Sequence, residues 1–268
     1  MFNAFEILIF AFTFNILYDK KYYLPMNNYT AAFNVDDDNI NTLVAKTQER
    51  FYRALQRRYQ FESNLKPAQQ FLIEYVNSKI PLVVMYADLV GSTKLSMTLS
   101  IDKVVTIIRG FSYEMSNIIH LSGGYPLKYV GDAVIAFFPS FNNKADACNK
   151  SVGCAKLMIK IIKNGISPIL NQYNIAGIQV KIGMDEGENV IIQHGHDESS
   201  PIDILGYCMN RSAKITSLTY PNKIMVGEDV YRNLNSKMIE NFNELQFSID
   251  QWKYINKQTG QIYRLYSN

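Results

Sequence analysis

Pro81 opens the run Leu82-Val83-Val84-Met85-Tyr86-Ala87, which is apolar without alternation and stops at Asp88-Leu89-Val90-Gly91-Ser92-Thr93. Unbroken apolarity over so short a stretch reads as a strand buried on both faces, so the chain must build a sheet and cover it. Downstream, Ile101, Val104, Val105, Ile108, Phe111, Met115, Ile118 and Ile119 fall at helical spacing and end at Gly123-Gly124, a helix followed by its turn. Two short strands, Leu127 to Val130 and Ala133 to Phe138, are joined by Gly131-Asp132, a tight hairpin with a carboxylate at its tip. Ala145 to Lys163 reads as a helix, Ile178 to Met184 as a strand, and Asn189 to Gln193 as that strand's hairpin partner. Cys208 to Leu218 reads as a further helix and Lys223 to Val226 as a strand. This alternation predicts an α/β chain, an α+β sandwich with helices covering a mixed sheet.

Upstream, Ile40, Leu43, Val44, Phe51, Leu55 and Tyr59 predict a helix of about six turns behind the acidic run Asp36-Asp37-Asp38, which suits a helix N-terminus. Its other side carries Lys46, Arg50, Arg53, Arg57 and Arg58, a solvated face in the plain reading and a polyanion-binding patch in the alternative. Near-heptad spacing over so few turns is weak support for a coiled coil. Pro67 breaks or restarts the helix before Phe71 to Val76. We therefore divide the chain into an N-terminal helical extension at 1–78, a candidate dimerisation or signalling helix, and a main domain at 79–236. A C-terminal β extension at 237–268 follows, centred on Trp252, Tyr254, Tyr263 and Tyr266. The apolar stretch from Ile7 to Tyr18 contains Asn15 and follows Glu6. It falls short of the roughly 20 apolar residues of a spanning helix and lacks the basic flank of a signal peptide. It is expected to be packed or interfacial, with no stable membrane insertion.

With 47% hydrophobic and 19% charged residues in 268, composition is that of an ordinary globular chain with a real core. A net charge of +3 from scattered basic residues gives no stripe that would follow a nucleic-acid backbone, and nucleic acid is set aside as a main partner. Cys148, Cys154 and Cys208 form no CxxC pair and no metal set with the three histidines, so they read as reduced thiols in a cytoplasmic protein. His194-Gly195-His196-Asp197 lacks a further ligand nearby and reads as a polar hairpin exit.

The chemistry concentrates at two aspartates. Asp88 sits where a strand gives way to a Gly-Ser-Thr turn that opens a helix. A helix start offers unpartnered amides to a phosphate, so a metal and a triphosphate could share this point. Asp132, at a hairpin tip, is the natural second carboxylate if the hairpin lies beside the first strand, and two such carboxylates call for a divalent cation between them. Each alone has a plainer reading, Asp88 as a helix cap and Gly131-Asp132 as a turn.

Together, Tyr86-Ala87-Asp88-Leu89-Val90-Gly91-Ser92-Thr93 and Lys128-Tyr129-Val130-Gly131-Asp132-Ala133 resemble the two metal motifs of class III adenylate and guanylate cyclases. Asp203-Ile204-Leu205-Gly206 with Asn210 resembles the family's base-and-ribose motif. The resemblance runs from about residue 81 to 230. It implies a ferredoxin-like βαββαβ core of the class III cyclase type, and conversion of a nucleoside triphosphate into a cyclic nucleotide and pyrophosphate. It further implies two Mg2+ or Mn2+ ions per site on Asp88, Asp132 and the Leu89 carbonyl, with Val90, Gly91, Ser92 and Thr93 cradling phosphates. Lys128 and Asp203 match the adenine-reading pair, which makes ATP the expected substrate and 3′,5′-cyclic AMP the expected product. Asn210 matches the ribose-orienting asparagine. Where the family has its transition-state arginine this chain has Lys214, which keeps the charge and loses the planar fork. The neighbouring Arg211 is a candidate substitute, set about 60° away around the helix.

Because bulky Tyr129 adjoins Lys128, UTP and CTP stay open as substrates. The family further implies a homodimer with sites shared between chains, Asp88 and Asp132 of one protomer facing Lys128, Asp203 and Asn210 of the other. The competing reading is a non-catalytic cyclase-homology module that binds a nucleotide and passes a signal through its N-terminal helix.

Overall fold

The computed structural model describes residues 37–62, 65–195, 197 and 200–268. The apolar stretch at 7–18 and His196 lie outside the described residues. Among those described, no helix is long and apolar enough to cross a membrane.

β1 (Lys79–Val90) is the centre of the sheet. It pairs antiparallel with β3 (Ala133–Pro139) on one edge and with β4 (Gln179–Gln193) on the other. β2 (Tyr125–Val130) adds outside β3, giving the order β2-β3-β1-β4. Between β1 and β2 run the short α3 (Ser92–Thr98) and the long α4 (Ile101–Leu121), and between β3 and β4 run α5 (Lys144–Ile161) and α6 (Ser167–Gln172). This is the ferredoxin-like βαββαβ core, with every neighbouring pair antiparallel. β5 (Ile202–Leu205) pairs with the far end of β4, α7 (Tyr207–Leu218) follows, and β6 (Ile224–Gly227) runs parallel to β4. Short helices α8 (Glu228–Tyr231) and α9 (Ser236–Ile239) lead to β7 (Asn243–Leu245) and β8 (Leu265–Ser267). Through β8 the C-terminal strands join the same sheet beside β6, forming the β extension.

The uninterrupted apolarity of β1 has the expected cause. Val83, Met85, Ala87 and Leu89 belong to the core under α4 and α5, whereas Leu82 and Val84 belong to a second cluster on the opposite face. α2 (Lys66–Leu72), with Pro67 in its first turn, contributes Ala68 and Leu72 to that second cluster. All three cysteines are buried and free.

The sequence expectation of a strand-turn-strand across 178–193 is corrected. β4 is one strand of 15 residues. The polar run Asp185-Glu186 that suggested a turn is buried and partnered: Asp185 meets Arg211 at 2.5 Å, and Glu186 takes Lys144 at 2.8 Å and the Ser140 hydroxyl at 2.9 Å. The hairpin comes later, where the His194 amide donates to the Pro201 carbonyl at 2.9 Å and β5 turns back on β4.

α1 (Asp37–Leu55) ends a turn before the expected Tyr59, because Arg57 takes a left-handed φ of 59° and the helix closes as the Arg57 amide donates to the Ala54 carbonyl and the Arg58 amide to the Arg53 carbonyl. Its apolar stripe packs on the chain's own core, with Phe51 fully buried. Part of its basic face is also engaged: Arg50 grips the buried Glu114 of α4 through two bonds of 2.7 Å, and the Thr47 hydroxyl donates to the same carboxylate at 2.9 Å. Burial disfavours the Arg50 cation, and Glu114 outweighs that and raises its pKa. Breaking a buried pair strands a charge, so Glu114→Ala is expected to lower the unfolding free energy by about 3 kcal/mol in urea denaturation. A loss below about 1 kcal/mol would show that α1 is held by apolar packing alone.

Candidate active site

Strand alternation puts Leu82, Val84, Tyr86 and Asp88 on the β1 face away from α4 and α5. Register then sets the neighbours of Asp88: Ala133 on β3 and Lys181 on β4. Asp132 directly precedes Ala133, in a hairpin whose Gly131 has φ 61°, a left-handed turn that disfavours side chains with a Cβ. Sheet pairing thus carries two carboxylates, 44 positions apart in sequence, to the ends of adjacent strands. Lys181 Nζ stands 3.1 Å from Asp88 Oδ2, a neutralising cation that sequence reading missed. Pairing of β1 with β3 stops at Asp88, while pairing with β4 continues to Val90, so Leu89 and Val90 have no β3 partner. Gly91, at φ 85°, then turns the chain into α3, whose first residues are Ser92 and Thr93. A Cβ at Gly91 would meet nothing within 4 Å, so the turn opens to its surroundings.

Lys128 and Asp203 are brought together at 2.5 Å, although they lie 75 positions apart. Lys128 shares a cross-strand row with Ile135, Tyr86 and Gly183, whereas Asp203 pairs with Ile192, nine residues further along β4. In a flat sheet that offset alone is ~30 Å. The β4–β5 arm must therefore curl over the Tyr86 face, and the ion pair is the point where the curl closes. Tyr86 lies beside it: burial, then the Asp203 charge, push its phenol up to about 12. Tyr129 is corrected as a neighbour of the base site. Alternation sends it to the other face of β2, where its hydroxyl shares a 2.9 Å hydrogen bond with Ser116 of α4.

α7 lies close on β4, and Gly183 permits it: a Cβ there would meet the Thr216 amide nitrogen at 2.4 Å. Arg211, Ser212, Ile215 and Thr216 are buried towards the sheet, while Asn210 and Lys214, one turn apart, are exposed on the outer face. Arg211 cannot stand in for Lys214. Its guanidinium is held by Asp185 at 2.5 Å and Asp229 at 3.2 Å, and it lies 4.1 Å from the centre of the Tyr263 ring. Burial pushes Asp185 up to about 7, against the opposing pull of Arg211 and of the Tyr263 hydroxyl.

One chain therefore gathers Asp88, Lys181 and the Gly91 turn at the end of β1, with Asp132 at the end of the adjacent strand, and pairs Lys128 with Asp203, while Asn210 and Lys214 are exposed on α7. Lys181 and Tyr86 carried no local signal of their own, since only strand pairing and alternation reveal them. A methyl at residue 183 has no room under α7, so Gly183→Ala is expected to cost about 2 kcal/mol or more of stability, read by chemical denaturation. An unchanged midpoint would mean that α7 does not rest on β4 as described.

The family described as adenylate and guanylate cyclase catalytic domain matches residues 74–262. A cytidylate cyclase from Staphylococcus aureus is 24% identical over 226 residues, covering 83% of this chain and 51% of that protein. An adenylate cyclase from Anabaena cylindrica is 24% identical over 156 residues, covering 58% of this chain and 31% of that protein. The chain thus spans about half the length of the first relative, and less of the second. Among solved structures, the guanylyl cyclase Cya2 superposes with a TM-score of 0.60 at 18% identity, over 72% of this chain and 93% of that one, a likeness of fold. The three names carry three different bases, while the matched region contains both aspartate motifs, the Lys128–Asp203 pair and α7. The chain belongs to the adenylate and guanylate cyclase catalytic domain family.

Proposed function

We propose that the chain converts a nucleoside triphosphate into its 3′,5′-cyclic nucleotide and pyrophosphate, at sites shared between two copies of itself. The observation that carries the shared site is the outward face of α7: Asn210 and Lys214 are exposed and turned from the sheet that bears Asp88 and Asp132. They can reach a nucleotide held on a facing chain, in a closed two-fold dimer.

The carboxylate set fits a divalent ion. Among the described residues no group of three acidic, histidine or cysteine side chains forms a metal cage, and Mg2+ characteristically takes one or two carboxylates and completes its shell with water and substrate phosphates. Asp88, Asp132 and the Leu89 carbonyl would hold Mg2+ or Mn2+, which would supply activation of the ribose 3′-hydroxyl and neutralisation of the triphosphate. Lys181 and the amides of the Gly91–Thr93 turn meet the phosphates on the same chain. Asn210 of the facing chain orients the ribose, and Lys214 places its charge at the α-phosphate. The 3′-oxygen forms its bond to the α-phosphorus as the bond to the bridging oxygen of pyrophosphate breaks.

Lys128 donates and Asp203 accepts. With Lys128 at the ring nitrogen and Asp203 at the exocyclic group, the pair fits a ring-nitrogen acceptor beside an exocyclic amino donor, as in adenine and cytosine, whereas guanine and uracil present the two functions in the reverse order. ATP is the leading substrate. A second reading, CTP, is favoured by the name of the S. aureus relative. The chain is expected to work in the cytoplasm and to need no nucleic acid.

Incubating the purified chain with ATP, CTP, GTP or UTP plus Mg2+ or Mn2+ should give cyclic product from ATP or CTP. Turnover should be at least ~100-fold lower in Asp88→Asn, as befits loss of a group that supports developing charge. Product chiefly from GTP or UTP would refute the base assignment. No product from any nucleotide would leave a nucleotide-binding module without catalysis.

A further inference from the structure

Arg211 sits between Asn210 and Lys214 in sequence yet is one of the most firmly held side chains near the site. Its Nε lies 2.5 Å from Asp185 Oδ2, and its Nη2 donates to the Glu186 carbonyl at 3.1 Å and to Asp229 at 3.2 Å. The guanidinium lies over two rings, Tyr263 at 4.1 Å and Tyr207 at 5.4 Å from their centres. Tyr263 completes the clamp: its hydroxyl donates to Asp185 Oδ1 at 2.7 Å and accepts from the Asp229 amide at 2.9 Å. It is fixed in turn by Trp252, whose indole N–H donates to the Tyr263 carbonyl at 2.7 Å. Side-chain exposure is 10% for Arg211 and 0% for Asp185. Four separated parts of the chain, β4, α7, α8 and the C-terminal segment, thus converge at one cation.

We propose that Arg211, clamped by Asp185 and Tyr263, is a positioning residue that fixes the rotation of α7 about its own axis and so aims Asn210 and Lys214. The proposal rests on the cyclase reading above. Side chains on one helix turn together, and a lysine head sits ~8 Å from the helix axis. A rotation of about 20° therefore sweeps Lys214 Nζ through roughly 3 Å. A displacement of even 1 Å at reacting atoms can cost about 100-fold in rate, so the clamp has ample leverage. Close packing over Gly183 limits the height of α7 above the sheet, and the off-axis grip on Arg211 limits its rotation. The C-terminal extension therefore acts on the catalytic step through Tyr263 without touching the nucleotide.

Tyr263→Phe removes one hydroxyl and keeps the ring, so it is the variant least prone to unfold; Arg211→Lys keeps the charge and loses the fork. In the full chain both are expected to lower kcat at least ~10-fold with KM within about twofold, because the base pair and phosphate turn lie on other elements. In a Lys214→Ala background the same changes should cost clearly less than in the unmodified chain, since a misaimed lysine that is already gone costs no more and only the misaiming of Asn210 remains. Unchanged kcat, or full additivity with Lys214→Ala, would overturn the proposal. Hydrogen exchange provides a readout independent of turnover: Tyr263→Phe should speed exchange of the α7 amides at 207–218 and spare those of α4 at 101–121. If the unmodified chain yields no cyclic product, the cyclase reading fails by itself, and unaltered α7 exchange in Tyr263→Phe would then overturn the clamp.

Discussion

The site depends on the antiparallel register of β1 between β3 and β4. That register puts Ala133 and Lys181 beside Asp88, so the Gly131-Asp132 hairpin delivers its carboxylate to the end of the adjacent strand and a cation offsets the charge. A slip of one residue would turn Asp88 into the core under α4 and bring Leu89 to the open face. The register is protected because both faces of β1 are buried along most of its length, so any slip would put each apolar set into a core shaped for the other. The placement of the two aspartates is thus underwritten by hydrophobic patterning well away from them.

A second constraint is the curl of the β4–β5 arm. It brings Asp203 to Lys128 beside Tyr86, joining residues from three strands far apart in sequence. The pair is half exposed, with side-chain exposures of 37% and 25%. It is consequently a weak stabiliser in its own right, and in the proposed reaction it presents a donor beside an acceptor. The deeper ion pairs, Arg50–Glu114 and Arg211–Asp185, join elements instead: the first docks α1 on α4, the second ties α7 to β4 and the C-terminal segment.

The sheet core and both aspartates were legible in the sequence because their signals are local: an apolar run ending in Asp-x-x-Gly-Ser-Thr, a helix period, a Gly-Asp hairpin. The continuity of β4 was not legible. Asp185-Glu186 looks like a turn until Arg211, Lys144 and Ser140 are known to neutralise it, and those partners come from other elements. For the same reason Arg211 looked like a spare catalytic cation, when its charge is already committed to buried carboxylates. The bulk of Tyr129 bears on the other face of β2 from Lys128, since adjacency in sequence means opposite faces in a strand. Lys181 and Tyr86 become visible only once pairing and alternation are fixed.

The central claim is that a complete site needs two chains, one giving Asp88 and Asp132 and the other Asn210 and Lys214. It is tested most directly by mixing an Asp88→Ala chain with an Asn210→Ala chain, each expected to be nearly inactive alone. Heterodimers should recover one intact site each, about half the activity of an unmodified dimer. If the mixture stays as inactive as its components while heterodimers demonstrably form, the shared site is contradicted, and each chain must carry out its chemistry alone.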